Sequence, residues 1–175
     1  EDVSAELVDL REYPLPFFDQ AKTPSSVPEG YDIENDAYKK WRAKIVEADG
    51  FIVVTPEYNH GYPAVLKNAM DWVYADWNKK AIGFISYGSV LGARAVEQLR
   101  LVAVELQMAP IRQSIHLPKE VYMAVSKTSE PIDAALFAPA EQARIEGRPV
   151  GRLRPKGAGA LKHGCNLTEP ASRVG

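Results

Sequence analysis

The chain has 175 residues, a formal net charge of −2 and a pI of about 6.0, enough for one domain with a real core and short of two. Such a balance offers no concentrated basic surface, so nucleic acid is not an expected partner. The single cysteine, Cys165, rules out an intramolecular disulfide and a cysteine-built metal site; with no apolar run near the roughly 18 residues of a membrane helix, the expectation is a soluble protein in a reducing cytoplasm, without metal or membrane.

Glu1 opens the chain in mid-pattern, so further residues are expected ahead of it. Residues 5–10, AELVDL, alternate loosely and predict a strand, and REYPLPFFD after them predicts a proline-held loop. Residues 22–36 are Pro, Ser, Gly and acid, the composition of a surface loop. Tyr38, Trp41, Ile45 and Ala48 form one apolar stripe at helical spacing, ending near Gly50. FIVVT, residues 51–55, is a continuous apolar run rich in β-branched residues that predicts a strand covered on both faces. Pro63 suits the start of the next helix, with Leu66, Met70 and Val73 facing inward. AIGFISYG predicts a second buried strand, residues 89–108 a long helix with Val96, Leu99, Val102 and Leu106 toward the sheet, and PIRQSIHLP a last strand. Alternating strand and helix from residue 5 to 117 imply a parallel α/β sheet.

In such a sheet ligands sit beyond the carboxyl ends of the strands. Two loops leave that edge, TPEYNHGYP and YGSVLGA, and they are expected to face one crevice. In the first, Pro56 and Pro63 stiffen both ends, Gly61 permits a left-handed or close-packed backbone, Tyr58 and Tyr62 can pack beside a ring, and Asn59 and His60 offer polar edges. In the second, Gly88 and Gly92 allow close approach, with Tyr87 and Ser89 flanking. A flat redox cofactor fits this pattern; nucleotides and aromatic metabolites also remain open.

At these residues, over roughly positions 6–118, TPEYNHGYPAVLKNAMDWVYADW and GFISYGSVLGARAVEQLR resemble the NADPH-dependent FMN reductases, a flavodoxin-like group that includes quinone, azo-dye and chromate reductases. The resemblance implies a three-layer α/β/α fold with strand order 2-1-3-4-5, FMN held without a covalent bond, and NADPH or NADH as hydride donor. A hydride would pass through FMN to flavin, a quinone or a similar small acceptor, with no catalytic side chain needed. By position, Thr55, Pro56, Glu57, Tyr58, Asn59, His60 and Gly61 match the loop along the ring edge, and Ser86, Tyr87 and Gly88 the second flavin loop. Relatives usually dimerise or form tetramers near the flavin.

The family also begins with a strand, a Ser/Arg-rich phosphate loop and a helix, none of which is in this sequence. The chain as written is therefore expected to hold flavin weakly, as a flavodoxin-like domain over residues 1–131. After Pro131 the composition turns basic and rich in Gly and Pro, which predicts a poorly ordered tail over residues 132–175. Trp72 and Trp77 could serve as core or as a subunit contact, His60 reads as a solvated loop residue and His116 as structural. The series Arg94, Glu97, Arg100, Glu105 reads as a solvated helix face with i,i+3 charge pairs. Neither a G-x-G-x-x-G fingerprint nor a G-x-S-x-G elbow is present. A non-enzymatic flavodoxin-type carrier or an inactive product are the alternative readings.

Overall fold

The computed structural model describes residues 4–127; the tail expected over 132–175, with Cys165, lies outside them. Among the described residues run four parallel strands, β1 (Gly50–Pro56), β2 (Ala81–Tyr87), β3 (Ala109–Pro110) and β4 (Ile115–Leu117), and helices α1 (Asp36–Glu47), α2 (Ala64–Asp71), α3 (Ala93–Glu105) and α4 (Lys119–Val125), in the order α1-β1-α2-β2-α3-β3-β4-α4. β2 is central, with β1 on one side and β3 and β4 both on the other. The last expected strand is therefore split. Ile111 still donates its N–H to the Ile82 carbonyl, but Arg112 and Gln113 then swing out to solvent. Arg100 of α3 holds the detour, donating to the Ile111 and Arg112 carbonyls at 2.7 Å each.

Each helix starts where local chemistry allows. Asn35 accepts the Tyr38 N–H at 2.9 Å and caps α1, and the stripe Tyr38, Trp41, Ile45 is buried. Pro63 caps α2, and Gly92, at φ +73°, turns the chain into α3. Between α2 and β2 a single 3-10 turn, Ala75–Trp77, drops Trp77 onto Phe51, with ring centroids 4.8 Å apart.

The strand register decides which residues share a face. Phe51 pairs with Ile82 and Val53 with Phe84, and these pack with the inward residues of α1, α2 and α3 in one core. Trp72 and Trp77 belong to that core, both nearly inaccessible, with indole N–H groups donating to the Pro16 and Met70 carbonyls. They are not a contact surface. On the opposite face Tyr122 of α4 meets Tyr87 with centroids 5.7 Å apart. There Ile52 and Val54 remain 71% and 58% exposed, so β1 is covered on one face rather than two among the described residues.

Residues 5–10 form no strand. The chain runs irregularly to Asp9 and closes into a 3-10 turn, Leu10–Glu12, where Asp9 accepts the Arg11 N–H at 2.9 Å. An extended segment needs a neighbouring strand to take its N–H and C=O groups, and β1 pairs only with β2 among the described residues. The proline loop that follows is pinned to α2. Asn68 accepts the Phe18 N–H at 3.0 Å and donates to the Pro16 carbonyl at 2.9 Å, and Trp72 donates to the same carbonyl. No helix among the described residues is long and apolar enough to cross a membrane.

Candidate functional site

The register places Thr55 beside Ser86 and Pro56 beside Tyr87, so the two loops leave the same edge of the sheet. They also touch. The Glu57 N–H donates to the Tyr87 carbonyl at 2.9 Å, and a side chain at Gly88, whose φ is +151°, would meet the Glu57 Cβ at 3.1 Å. Close approach at Gly88 thus serves the partner loop.

The first loop is a two-residue hairpin. Tyr58 and Gly61 exchange both backbone hydrogen bonds, at 2.8 and 2.9 Å, with Asn59 at φ +51° and His60 at φ +69° between them. This is the left-handed pair a tight hairpin requires. Gly61 itself does not take a positive φ; a Cβ there would lie 3.2 Å from Gln98 Oε1, a tight contact with the end of a flexible side chain. Gln98 donates to the His60 carbonyl at 2.8 Å and locks the tip onto α3.

Glu57 points inward, with its side chain 3% exposed. Its carboxylate accepts the Arg94 N–H at 3.1 Å and the Arg94 Nε–H at 2.6 Å, and pairs with Arg94 Nη2 as well. The carboxylate therefore caps the first turn of α3, where unpaired N–H groups and the helix dipole favour an anion. Hydrogen bonds from Arg94 hold the Glu57 carboxyl below the usual glutamate range, against the opposing effect of burial. Arg94 also donates to His60 Nε2 at 2.7 Å. The expected i,i+3 charge pairs on α3 are replaced by long-range contacts, Arg94 to Glu57 and Arg100 to two carbonyls.

In the second loop Ser86 is fully buried and faces away from solvent. Its hydroxyl donates to the Leu91 carbonyl at 2.9 Å, and a Cβ on Gly92 would lie 2.6 Å from Ser86 Cβ. The missing side chain of Gly92 thus makes room for the strand beneath, not for a ligand. Burial pushes the Tyr87 phenol up.

The sequence candidates fall into two groups. Thr55, Glu57, Ser86 and Gly61 brace the loops from below, whereas Tyr58 (61% exposed), Asn59 and His60 present themselves to solvent; Pro56, Tyr87 and Gly88 lie between. Main-chain N–H groups of both loops, those of Asn59, His60, Tyr62, Gly88, Ser89, Val90 and Gly92, have no acceptor among the described residues. Sequence reasoning missed Gln98, Leu91 and Tyr122, and named Arg94 only as part of a solvated helix face and His116 only as structural. Their roles depend on contacts across 25 or more positions, and no local pattern signals those.

An NAD(P)H-dependent FMN reductase of Schizosaccharomyces pombe is 41% identical over 118 residues, which cover 66% of this chain and 58% of that protein. A 2-hydroxy-1,4-benzoquinone reductase of a Burkholderia species is 34% identical over 120 residues, 64% of this chain and 60% of its own length. The chain thus spans about three-fifths of the length of these two relatives. Among solved structures, the flavoenzyme NAD(P)H:(acceptor) oxidoreductase FerB of Paracoccus denitrificans superposes with a TM-score of 0.51 at 20% identity, covering 74% of this chain and 72% of that one, which places the sheet and its helices in a flavodoxin-like fold. The sequence model that describes the NADPH-dependent FMN reductases matches residues 1–121, and the chain belongs to that family.

Proposed function

We propose that this chain carries the flavin-ring site of an FMN-dependent NAD(P)H oxidoreductase acting on flavin, quinone or similar small acceptors. The observation that carries this reading is the junction of two loops at one sheet edge with main-chain donors left open at Asn59, His60, Ser89, Val90 and Gly92. A flavin ring is flat and rich in acceptors along one edge, so such donors fit it. Donors near the ring nitrogen and carbonyl that gather negative charge favour the reduced form. When bound, FMN supplies the hydride chemistry between NAD(P)H and acceptor.

The chain's own residues bind and orient. Tyr58, Tyr87 and Gly88 offer flat or low surfaces beside the ring, and Asn59 and His60 supply the hairpin's open N–H groups. Thr55, Pro56, Glu57, Gly61 and Ser86 keep those groups in place. The quinone class of acceptor is supported by the name of the Burkholderia relative, and FMN and NAD(P)H by that of the S. pombe relative. A cytoplasmic homodimer or homotetramer belongs to the same proposal.

The test is to add FMN to the full chain, map amide shifts by NMR, and follow NADPH oxidation with a quinone present. Shifts concentrated at residues 57–61 and 87–92, together with quinone-dependent oxidation, are expected. Shifts elsewhere, or no FMN binding, would refute the assignment.

A further inference from the structure

We infer that His116, on β4, is a positioning residue for the flavin loop: its imidazole fixes the Leu91 carbonyl and thereby aims the Gly92 N–H. This rests on the reading that the crevice holds FMN. Leu91 has φ +59° and Gly92 φ +73°, two left-handed residues in succession, the first of them sterically disfavoured. Such a turn persists only where its surroundings hold it.

Two groups do so. The Ser86 hydroxyl donates to the Leu91 carbonyl at 2.9 Å, and His116 Nδ1 lies 3.1 Å from that carbonyl and 2.9 Å from Ser86 Oγ. A carbonyl only accepts, and the Ser86 proton is already committed, so Nδ1 carries the hydrogen and shares it between the two oxygens. On the far side of the ring, Ser114 Oγ lies 3.0 Å from Nε2. Because Nδ1 is the donor, the Ser114 hydroxyl can donate to the Nε2 of a neutral ring. The imidazole is thereby gripped at both nitrogens.

The consequence lies in the peptide plane. In a trans peptide the C=O of one residue and the N–H of the next point in opposite directions. With the Leu91 carbonyl pulled in toward Ser86 and His116, the Gly92 N–H is turned away from them, and it has no acceptor among the described residues. His116 touches no ligand in this reading; it acts through the peptide it holds.

The test compares His116→Asn with His116→Gln in the full chain. An asparagine amide nitrogen can occupy the position of Nδ1, whereas a glutamine amide reaches the position of Nε2. His116→Gln is expected to weaken FMN binding about tenfold, the loss of one well-placed hydrogen bond, and His116→Asn to stay within about threefold of wild type. A second readout needs no flavin. The Leu91 and Ala93 amides, bonded to the Gly88 and Val90 carbonyls at 3.1 Å each, should exchange faster in His116→Gln and at the wild-type rate in His116→Asn. Equal effects of the two variants on binding or exchange would mean that His116 only fills space, and would overturn the inference while leaving the flavin site standing. A wild-type chain that binds no FMN would remove the site and the inference with it.

Discussion

Replacing Glu57 with glutamine isolates the charge that ties the two loops to α3. The substitution keeps the shape and one carbonyl acceptor but removes the anion that meets the Arg94 guanidinium and the first-turn N–H groups. A hydrogen bond to a charged group is worth about 1.5–3 kcal/mol against roughly 0.5–1.5 for a neutral one, and an anion at a helix start adds about 0.3–1 kcal/mol. Arg94 is 34% exposed, so water screens part of its attraction and recovers part of its solvation in the variant. The expected net loss is about 2 kcal/mol, roughly 6 °C in melting temperature for a domain of this size. Urea titration of the two proteins should show a lower midpoint at an unchanged slope. The pH dependence has a fixed sign. Because the folded Glu57 carboxyl titrates below its ordinary range, its contribution is complete above that range and disappears as pH falls through the folded value. Wild type and Glu57→Gln should therefore converge in acid. Equal midpoints at neutral pH, or a gap that widens on acidification, would refute the assignment of Glu57 as the clamp.

Two further substitutions probe the frame around the site. Gly92→Ala places a methyl group 2.6 Å from Ser86 Cβ at a φ of +73° and should cost about 3 kcal/mol, read as a lower denaturation midpoint. Asn68→Ala removes the acceptor for the Phe18 N–H and the donor to the Pro16 carbonyl, for a loss of about 2 kcal/mol and faster proteolytic cleavage within residues 15–19.

The elements most legible in the sequence were those whose signal is local. The stripe Tyr38, Trp41, Ile45 marked α1 because burial follows helical spacing, and the β-branched run at 51–55 marked β1 to within a residue at each end. The same run misled about coverage, since a buried-looking strand cannot state which neighbours are at hand, and Ile52 and Val54 are open. For residues 5–10 the alternation was real, but a strand exists only beside another strand. Both loops at the carboxyl edge of the sheet were legible as loops, through their prolines and glycines. Their internal logic was not: Glu57 was carried over with Tyr58 and Asn59 by the family resemblance, and no local pattern showed that its carboxylate pairs with Arg94, 37 positions away on α3. Glycine was likewise read as backbone freedom for a ligand, while at Gly92 the missing side chain leaves room for Ser86.

The carboxylate seated at the start of α3 also decides what kind of chemistry that end of the crevice will tolerate. A phosphate approaching there would find the positive pole already neutralised from within and would have to displace a resident negative charge. An uncharged heterocycle meets no such rival. A nucleotide-like ligand docking against these loops would therefore be expected to turn a neutral ring, and not its anionic end, toward the start of α3.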